Sequence, residues 1–365
     1  MADVSDELEE VAKKTTELAR LIQRAKHVVV FTGAGVSTSA KIPDFRGPNG
    51  VWTLQAEGKL PESITMEQAM PTATHMALVG LMRSNLIRCV VSQNVDGLHR
   101  RSGLLKDQLA ELHGNCFVEV CTVCQQEHLR SFDVCEHHGN AAPTVNFHDT
   151  GRRCNREGCE GSLRNTIVNF GEQLPEQHLS LAMCHASKAD LAIVLGSSMT
   201  VRPACDMPAI VAQRGGKLAI INLQSTPLDH LADLRISADS DTVMDKVMNE
   251  LELPVPVFDE SAFKACIAED RHGKEVTVGH SSTASSHGQS RIFVTSPGMN
   301  GEDVVYHVEF TTVDGQSTDV RRAPFEVFAV DGPVHIRVHF LDQALAPVEV
   351  TLELSCKESS QRFSR

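Results

Sequence analysis

Two patterns of apolar positions alternate along residues 1–255. Apolar residues at helical spacing predict an amphipathic N-terminal helix within residues 1–25, carried by Leu8, Val11, Leu18 and Ile22. Short continuous apolar runs predict buried strands at residues 27–31, 87–92, 191–195 and 218–222, with helices at 73–84 and 203–214. Strands that alternate with helices predict an α/β domain over residues 26–255 with a doubly wound parallel sheet.

Polar residues or glycines directly follow these predicted strands, in the segments 32–35, 93–99, 196–198 and 222–224. In a doubly wound sheet, ligands bind in the crevice outside the carboxyl ends of the strands. The four segments are therefore the candidate binding site of a Rossmann-like domain.

The apolar pattern changes after residue 255. Residues 256–290 are polar and irregular, which predicts a linker. Residues 291–356 then alternate between apolar and polar positions, as in the run Val334, Ile336, Val338 and Phe340. A period of two predicts a small antiparallel β domain with one solvent-facing side, followed by a tail at 357–365.

The charge of the chain indicates which kinds of partner it can bind. The formal net charge is −13 and the basic residues do not cluster, so we expect no intrinsic DNA binding. An acidic surface suits a basic protein partner, although an acidic surface also serves simply to keep a protein soluble. No apolar run reaches the ~20 residues that a membrane span needs, and the acidic residues 1–14 do not resemble a signal peptide. We expect a protein of the nucleus or cytoplasm without membrane contact.

Residues 115–165 interrupt the alternating pattern with cysteines and few apolar runs. In a reducing compartment, clustered cysteines are better interpreted as metal ligands than as disulfides. Two pairs have the spacing of a closed, structural zinc site, namely Cys121, Cys124, Cys154 and Cys159. Cys116 and Cys135 are alternative ligands, and a buried or redox-active cysteine cluster is the alternative to a metal site. We interpret this stretch as a small zinc module inserted in the α/β domain.

Gly33, Ala34 and Gly35 form a turn directly after a predicted strand. Glycines there let the backbone approach a pyrophosphate, although a strand-to-helix turn also needs glycine for packing. The loop IPDFRGPNGVW at 42–52 adds Asp, Phe, Arg and Trp close to this turn. Together with QNVDGLH at 93–99, LHG at 112–114, FGE at 170–172, GSS at 196–198 and NLQ at 222–224, these motifs resemble those of the sirtuins in kind and order.

The resemblance covers residues 18–255 and is strongest to the class IV branch around sirtuin seven. It implies an NAD-dependent protein-lysine deacylase that releases nicotinamide and acyl-ADP-ribose. His113 is the implied general base, a role that suits an imidazole because it titrates near neutrality, and Asn94 is the second implied catalytic residue. The implied substrate is an acyl-lysine protein or peptide, with histones among the candidates, and the implied location is the nucleus.

The resemblance also implies the residues that contact NAD. They are Gly33, Ala34, Gly35, Ser37, Asp44, Phe45, Arg46, Trp52, Gln93, Asn94, Asp96, Gly196, Ser197, Ser198, Asn222, Leu223, Gln224 and Val243. The peptide substrate would add a strand at Val168, Phe170, Gly171 and Glu172. Ordinary core packing is the alternative for Val168 and Phe170, and Trp52 could instead fill the interior of its own loop.

Two other functions are compatible with the sequence. Mono-ADP-ribosyl transfer would use the same pocket, with a protein side chain attacking the ribose. An interaction scaffold would combine a weakly active α/β domain with protein binding by the β domain at 291–356, whose partner the sequence does not identify.

Overall fold

The computed structural model describes residues 6–48, 50–59, 64–135, 148–156 and 158–259, and beyond these the backbone of strands between residues 275 and 364. The chain divides into two compact units, Met1–Phe263 and Lys264–Arg365. Among the described residues, no helix combines the length and the apolar character that crossing a membrane requires.

The first unit alternates helices and strands as predicted. Its helices are α1 (Leu8–Arg24), α2 (Val51–Ala56), α3 (Ala73–Arg83), α4 (Leu98–Arg101), α5 (Glu176–Lys188), α6 (Asp206–Gln213) and α7 (Ser240–Glu250). Its strands are β1 (Val28–Thr32), β2 (Cys89–Ser92), β3 (Leu109–Glu111), β4 (Val118–Cys121), β5 (Glu127–Leu129), β6 (Asp149–Arg153), β7 (Ser162–Asn165), β8 (Leu191–Leu195), β9 (Lys217–Ile221) and β10 (Leu234–Ile236).

Six strands form a parallel sheet in the order β10-β9-β8-β1-β2-β3. The chain builds outward from β1 in one direction through β2 and β3, and later in the other direction through β8, β9 and β10. The strand order therefore reverses between β1 and β8, which are direct neighbours. A sheet of this kind opens a crevice at the carboxyl ends of the two strands at the reversal.

Both faces of the parallel sheet are buried, which explains why its strands are continuous apolar runs. Val28 and Val30 of β1 contribute to one apolar cluster, which also contains residues of α1, α3 and α7. Val29 and Phe31 contribute to the cluster on the opposite face, with residues of α5 and α6. Successive residues of one strand thus serve two cores.

Helix α1 corrects one detail of the predicted apolar stripe. Val11, Leu18 and Ile22 are buried as expected, but Leu8 is 81% exposed. Leu8 is the first residue of the helix, and Thr15 instead completes the buried stripe with its hydroxyl donating to Val11 O at 2.6 Å.

The cysteine-rich stretch folds as a separate antiparallel sheet in the order β5-β4-β7-β6. Its buried cluster consists of Cys121, Cys154 and Leu163. So small a core supports the interpretation that metal binding, more than apolar burial, stabilises this module.

The strands of the second unit are antiparallel, as the alternating pattern predicted, and they form two sheets. Their orders are β15-β12-β11-β18 and β14-β13-β16-β17. The strands are β11 (Glu275–Ser282), β12 (Ser290–Thr295), β13 (Val305–Thr312), β14 (Ser317–Val320), β15 (Phe325–Ala329), β16 (Gly332–Phe340), β17 (Val348–Leu354) and β18 (Ser359–Ser364).

Two predicted boundaries of the β domain were wrong. Strand β11 lies inside the range 256–290 that we predicted as a linker, and β18 lies inside the predicted tail at 357–365. Both strands are rich in polar residues, so they lack a strong apolar alternation. They form because β11 pairs with β12 on one side and with β18 on the other. Residues 260–274 and 283–289 of the predicted linker lie outside the described residues.

Candidate active site

The turn at residues 33–35 lies at the reversal point of the parallel sheet and contacts the segment that follows β8. Gly33 N donates to Leu195 O at 3.1 Å, and Gly35 N donates to Gly196 O at 2.8 Å. A Cβ added to Gly33 would lie 2.7 Å from Ser197 Cβ, and one added to Gly35 would lie 2.7 Å from Gly196 Cα. The backbones of the segments 33–35 and 196–198 are in direct contact. Glycine is therefore required at positions 33 and 35.

A buried polar network lies behind this turn. Asn94 Nδ2 donates to Gly33 O at 3.1 Å, and Ser37 Oγ donates to Asp96 Oδ2 at 2.7 Å. The other oxygen of Asp96 accepts from Leu98 N at 2.9 Å, at the start of α4. Burial raises the pKa of Asp96, while the bonds from Leu98 and Ser37 lower it. The network fixes the orientation of both the Asn94 amide and the Asp96 carboxyl group.

His113 has the geometry of a general base. Its Nδ1 lies 2.9 Å from Gln93 O. Because a carbonyl oxygen only accepts, Nδ1 must carry the proton, and Nε2 is left with a free lone pair. Burial lowers the pKa of His113, and the Gln93 carbonyl opposes that shift only in part. The ring is therefore neutral at neutral pH and able to accept a proton at Nε2.

Exposed aromatic side chains meet at the mouth of the crevice. The ring centroid of Trp52 lies 5.1 Å from that of Phe45 and 6.5 Å from that of Phe170, and Arg46 Cζ lies 4.5 Å from the Trp52 ring. Phe45, Trp52 and Phe170 are 45%, 40% and 80% exposed. Trp52 therefore does not fill the interior of its loop, and Phe170 is not a core residue.

The crevice is a cavity of ≈560 Å³. The predicted residues that line it are Gly33, Ala34, Gly35, Asp44, Phe45, Arg46, Trp52, Gln93, Asn94, Asp96, His113, Val168, Phe170, Gly171, Glu172, Gly196, Ser197, Ser198, Asn222, Leu223 and Gln224. These residues come from seven segments of the sequence, five of which follow strands of the parallel sheet.

Two residues predicted to contact NAD do not line the cavity. Ser37 is fully buried and acts on Asp96 through its hydroxyl. Val243 lies inside α7 with its side chain in the hydrophobic core, and its contact with NAD stays a prediction. Asp239 and Ser240, at the start of the same helix, line the cavity instead.

Sequence reasoning also missed Arg202, which lines the cavity beyond β8. A lone arginine after a strand carries no distinctive signal. For Asp239 the signal was present, because an Asp directly before a helical segment predicts an N-cap. Its side chain accepts from Thr242 N at 2.8 Å, as an N-cap does.

The predicted peptide edge is tied to both His113 and the cysteine-rich module. Val168 N donates to His113 O at 3.0 Å. Glu172 Oε1 lies 2.8 Å from His148 Nε2, and Glu172 Oε2 accepts from Asn169 N at 2.8 Å. Hydrogen bonding to Asn165, and then to Glu172, raises the pKa of His148. These contacts position the edge of the cleft between the module and the parallel sheet.

The four predicted metal ligands converge on one point. The sulfur atoms of Cys121, Cys124, Cys154 and Cys159 all lie within 4.8 Å of one another. Cys121 and Cys159 are 3.6 Å apart, and Cys124 and Cys154 are 3.7 Å apart. Thiolates bound to one tetrahedral zinc ion at about 2.3 Å would lie roughly 3.8 Å apart, so the set fits structural zinc.

The pKa values of the sulfur cluster shift in opposite directions, and burial raises the pKa of Cys154 to about 12. Desolvation raises the pKa of Cys121, but amide donation from Cys124 and Val123 outweighs it and lowers that pKa to about 6. Cys116 and Cys135 are not among the four, and burial raises the pKa of Cys135 to about 12.

Comparison with known proteins gives consistent matches. The Sir2 family model matches residues 58–203. The NAD-dependent protein deacetylase SRT1 of Arabidopsis thaliana is 45% identical over 260 residues, which cover 71% of this chain and 53% of SRT1. Human sirtuin-7 is 44% identical over 264 residues, covering 70% of this chain and 64% of that protein. Sirt6 of Drosophila melanogaster is 40% identical over 266 residues, covering 71% of this chain and 81% of Sirt6.

Solved structures agree with the sequence matches. A complex of Sir2 with a p53 peptide and NAD+ has a TM-score of 0.51 at 35% identity, and covers 65% of this chain and 98% of that chain. Sir2Tm bound to a propionylated peptide has a TM-score of 0.51 at 34% identity, with 66% and 99% covered. The matched segment spans about half the length of the SRT1 relatives, at 53%.

Proposed function

Because this chain belongs to the Sir2 family, we propose that it is an NAD-dependent protein-lysine deacylase, with His113 as its general base. The observation that carries the proposal is the hydrogen bond between His113 Nδ1 and Gln93 O at 2.9 Å, which leaves Nε2 as the acceptor in a cavity shared with the turn at 33–35. A fixed, neutral imidazole next to a backbone turn open to phosphate suits proton removal from a bound nucleotide.

NAD, which this reaction consumes, supplies the ribose carbon that releases nicotinamide and takes up the acyl oxygen. The chain itself orients the reactants. The turn at 33–35 offers backbone to the pyrophosphate, and Asn94 and Asp96 are held at the nicotinamide end by Ser37 and Gly33. His113 Nε2 accepts a proton from a ribose hydroxyl. The edge at residues 168–172 aligns the peptide as an added strand.

We assign zinc a structural part in this function. Four cysteine ligands fill a tetrahedral shell, so no position is left for a reacting water molecule. Strand β7 begins near these ligands and leads directly into the peptide edge at 168–172. The zinc module thereby supports one wall of the cleft.

The substrate proposal follows from charge. A chain with a net charge of −13 favours lysine-rich segments, so histone tails are our first candidate substrate and the nucleus our proposed location. The described residues that line the cavity all lie within Met1–Phe263. For the β unit we propose binding of a protein partner.

The proposal is tested by mass spectrometry of an acetyl-lysine histone-tail peptide incubated with NAD. We expect deacetylated peptide and acetyl-ADP-ribose from the wild type. His113→Tyr should lose about 10²–10⁴-fold in rate, as expected for loss of a general base. His230→Tyr, at an exposed histidine outside the cavity, is the matched control and should retain full activity.

The same samples distinguish other outcomes. If the wild type binds NAD but acts on no acetyl, myristoyl or succinyl peptide, the deacylase proposal is wrong. Incubation with radiolabelled NAD then separates the alternatives, because mono-ADP-ribosyl transfer leaves stable label on protein and deacylation does not.

A further inference from the structure

Two histidines outside the cavity pack against each other behind the turn at 33–35. His75 lies in α3 and His99 lies in α4, with ring centroids 4.5 Å apart. Their exposures are 0% and 2%. Burial lowers the pKa of His75 to about 3, and burial, with repulsion from His75, lowers the pKa of His99 well below its usual value. Both rings are therefore neutral and act through hydrogen bonds, not through charge.

Each ring is linked to a different end of the turn. His99 Nε2 lies 2.8 Å from Thr32 Oγ1, and Thr32 immediately precedes Gly33. His75 Nδ1 lies 2.8 Å from Thr72 Oγ1, whose hydroxyl donates to Val36 O at 3.0 Å. Val36 immediately follows Gly35. The two packed rings, tilted by 52° to each other, therefore connect the residue before the turn with the residue after it.

His75 completes the N-terminal capping box of α3 by accepting from Thr72 N at 3.3 Å, but the pair also carries a cost in stability. His75 Nε2 and His99 Nδ1 have no hydrogen-bond partner among the described residues, although both atoms are buried. An unpaired buried nitrogen destabilises a protein relative to an apolar side chain of similar shape. Polar rings at these two positions thus indicate a role beyond core packing.

The backbone position of the turn at 33–35 is also tightly restricted. Its glycines lie against Gly196 and Ser197 with no space for a Cβ atom. A small displacement of either end would move the backbone amides away from the nucleotide or against the segment after β8. Bonds at both ends restrict such a displacement.

We propose that His75 and His99 are positioning residues that brace both ends of the turn at 33–35 in the conformation that receives the NAD pyrophosphate. Neither residue lines the cavity, so neither contacts NAD. The identity of the ligand rests on the proposed function, whereas the bracing of the turn is independent of the reaction that follows.

The test removes the hydroxyls that join the histidines to the turn, without a large change in volume. Thr32→Val and Thr72→Val are compared with Thr32→Ser and Thr72→Ser, and NAD affinity is measured by isothermal titration calorimetry. We expect about tenfold weaker NAD binding for each valine variant, the effect of one lost buried hydrogen bond, and recovery to near wild-type affinity for each serine variant. In the deacylation assay, KM for NAD should rise while kcat and KM for the peptide stay within about twofold.

Thr15→Val is the matched control, because Thr15 is equally buried and donates to Val11 O in α1, away from the cavity. It should lower the melting temperature about as much as Thr32→Val and leave NAD affinity unchanged. If Thr32→Val and Thr72→Val bind NAD like the wild type, or if the serine variants bind as weakly as the valine variants, the brace does not exist. If the calorimetric pattern appears but no variant or wild type deacylates a peptide, the brace stands and the deacylase proposal fails.

Discussion

Gly35 and Gly196 are separated by so little space that a methyl group does not fit between them. A Cβ on Gly35 would lie 2.7 Å from Gly196 Cα and 2.8 Å from Gly196 O, and both of these atoms are backbone. We expect Gly35→Ala to abolish measurable NAD binding and to lower the free energy of unfolding by about 1–3 kcal/mol, the usual cost of overpacking. Calorimetric titration with NAD and chemical denaturation measure the two effects.

Gly58→Ala is the control for this substitution. Gly58 has a φ of +70°, but an added Cβ would meet nothing within 4 Å, and it lies outside the cavity. The Gly58→Ala variant should have a free energy of unfolding lower by about 1 kcal/mol because of backbone strain, and its NAD affinity should be unchanged. Equal NAD affinities for the two variants would show that close approach of the two turns is not required.

Glu111 gives a prediction about pH. It is 5% exposed, two residues before His113, and its Oε1 accepts from Asn115 Nδ2 at 2.7 Å. Burial raises the pKa of Glu111 to about 7, against opposing effects of Arg100 and Asn115. The folded state thus holds a proton that the unfolded state has released. Stability from this group is complete below its unfolded pKa of 4.5 and is lost as the pH rises through about 7.

Glu111→Gln removes this titration and keeps an oxygen acceptor for Asn115. We expect the stability of the variant relative to the wild type to increase between pH 4.5 and 7.5 by up to about 3 kcal/mol. Denaturation by urea at several pH values measures the difference. For Glu250→Gln, at an exposed site at the end of α7, the free energy of unfolding should change with pH in the same way as for the wild type. A pH-independent difference for Glu111→Gln would contradict a raised pKa.

At the scale of elements, the zinc module combines a very small apolar core with the four converging cysteines. We expect one zinc ion per chain. Cys124→Ser should not bind this ion and should have a much lower melting temperature, because metal binding supplies folding free energy to such modules. Zinc content by mass spectrometry and thermal denaturation are the measurements. Cys184→Ser, at an exposed cysteine on α5, should retain both properties. Retention of zinc by Cys124→Ser would exclude that cysteine as a ligand.

Strands and helices differed in how far the sequence determined them. The runs at β1, β8 and β9 were recognisable because burial on both faces of a parallel sheet demands continuous apolar residues. Strand β11 was missed because pairing with two neighbours, which is non-local, supplies what its composition lacks. Leu8 was misjudged because periodicity alone does not show where the neighbouring elements stop.

The site followed the same rule. Residues in distinctive motifs, such as Gly33 and His113, were predictable because their chemistry restricts the residue type. For Val243 the motif did not show that its side chain lies in the hydrophobic core, while Asp239 and Ser240 of the same region line the cavity. The brace of His75 and His99 joins separate helices through ring contacts, and no local pattern signals it.

At the scale of the whole molecule, the described residues of the site belong to one compact unit. Every described residue that lines the cavity, and all four candidate zinc ligands, lie within the unit Met1–Phe263. That unit has its own cores on both faces of the parallel sheet. A domain with its own core is expected to fold when separated from the rest of the chain.

We therefore expect a chain shortened to residues 1–263 to bind NAD and zinc like the full chain and to deacylate a short acetyl-lysine peptide at a rate within about twofold. A short peptide tests only the cleft, whereas an intact protein substrate also tests any docking by the β unit. Slower deacylation of intact histones by the shortened chain, at an unchanged peptide rate, would support partner binding by residues 264–365. Loss of zinc, NAD affinity or cooperative unfolding in the shortened chain would instead show that the two units depend on each other for folding.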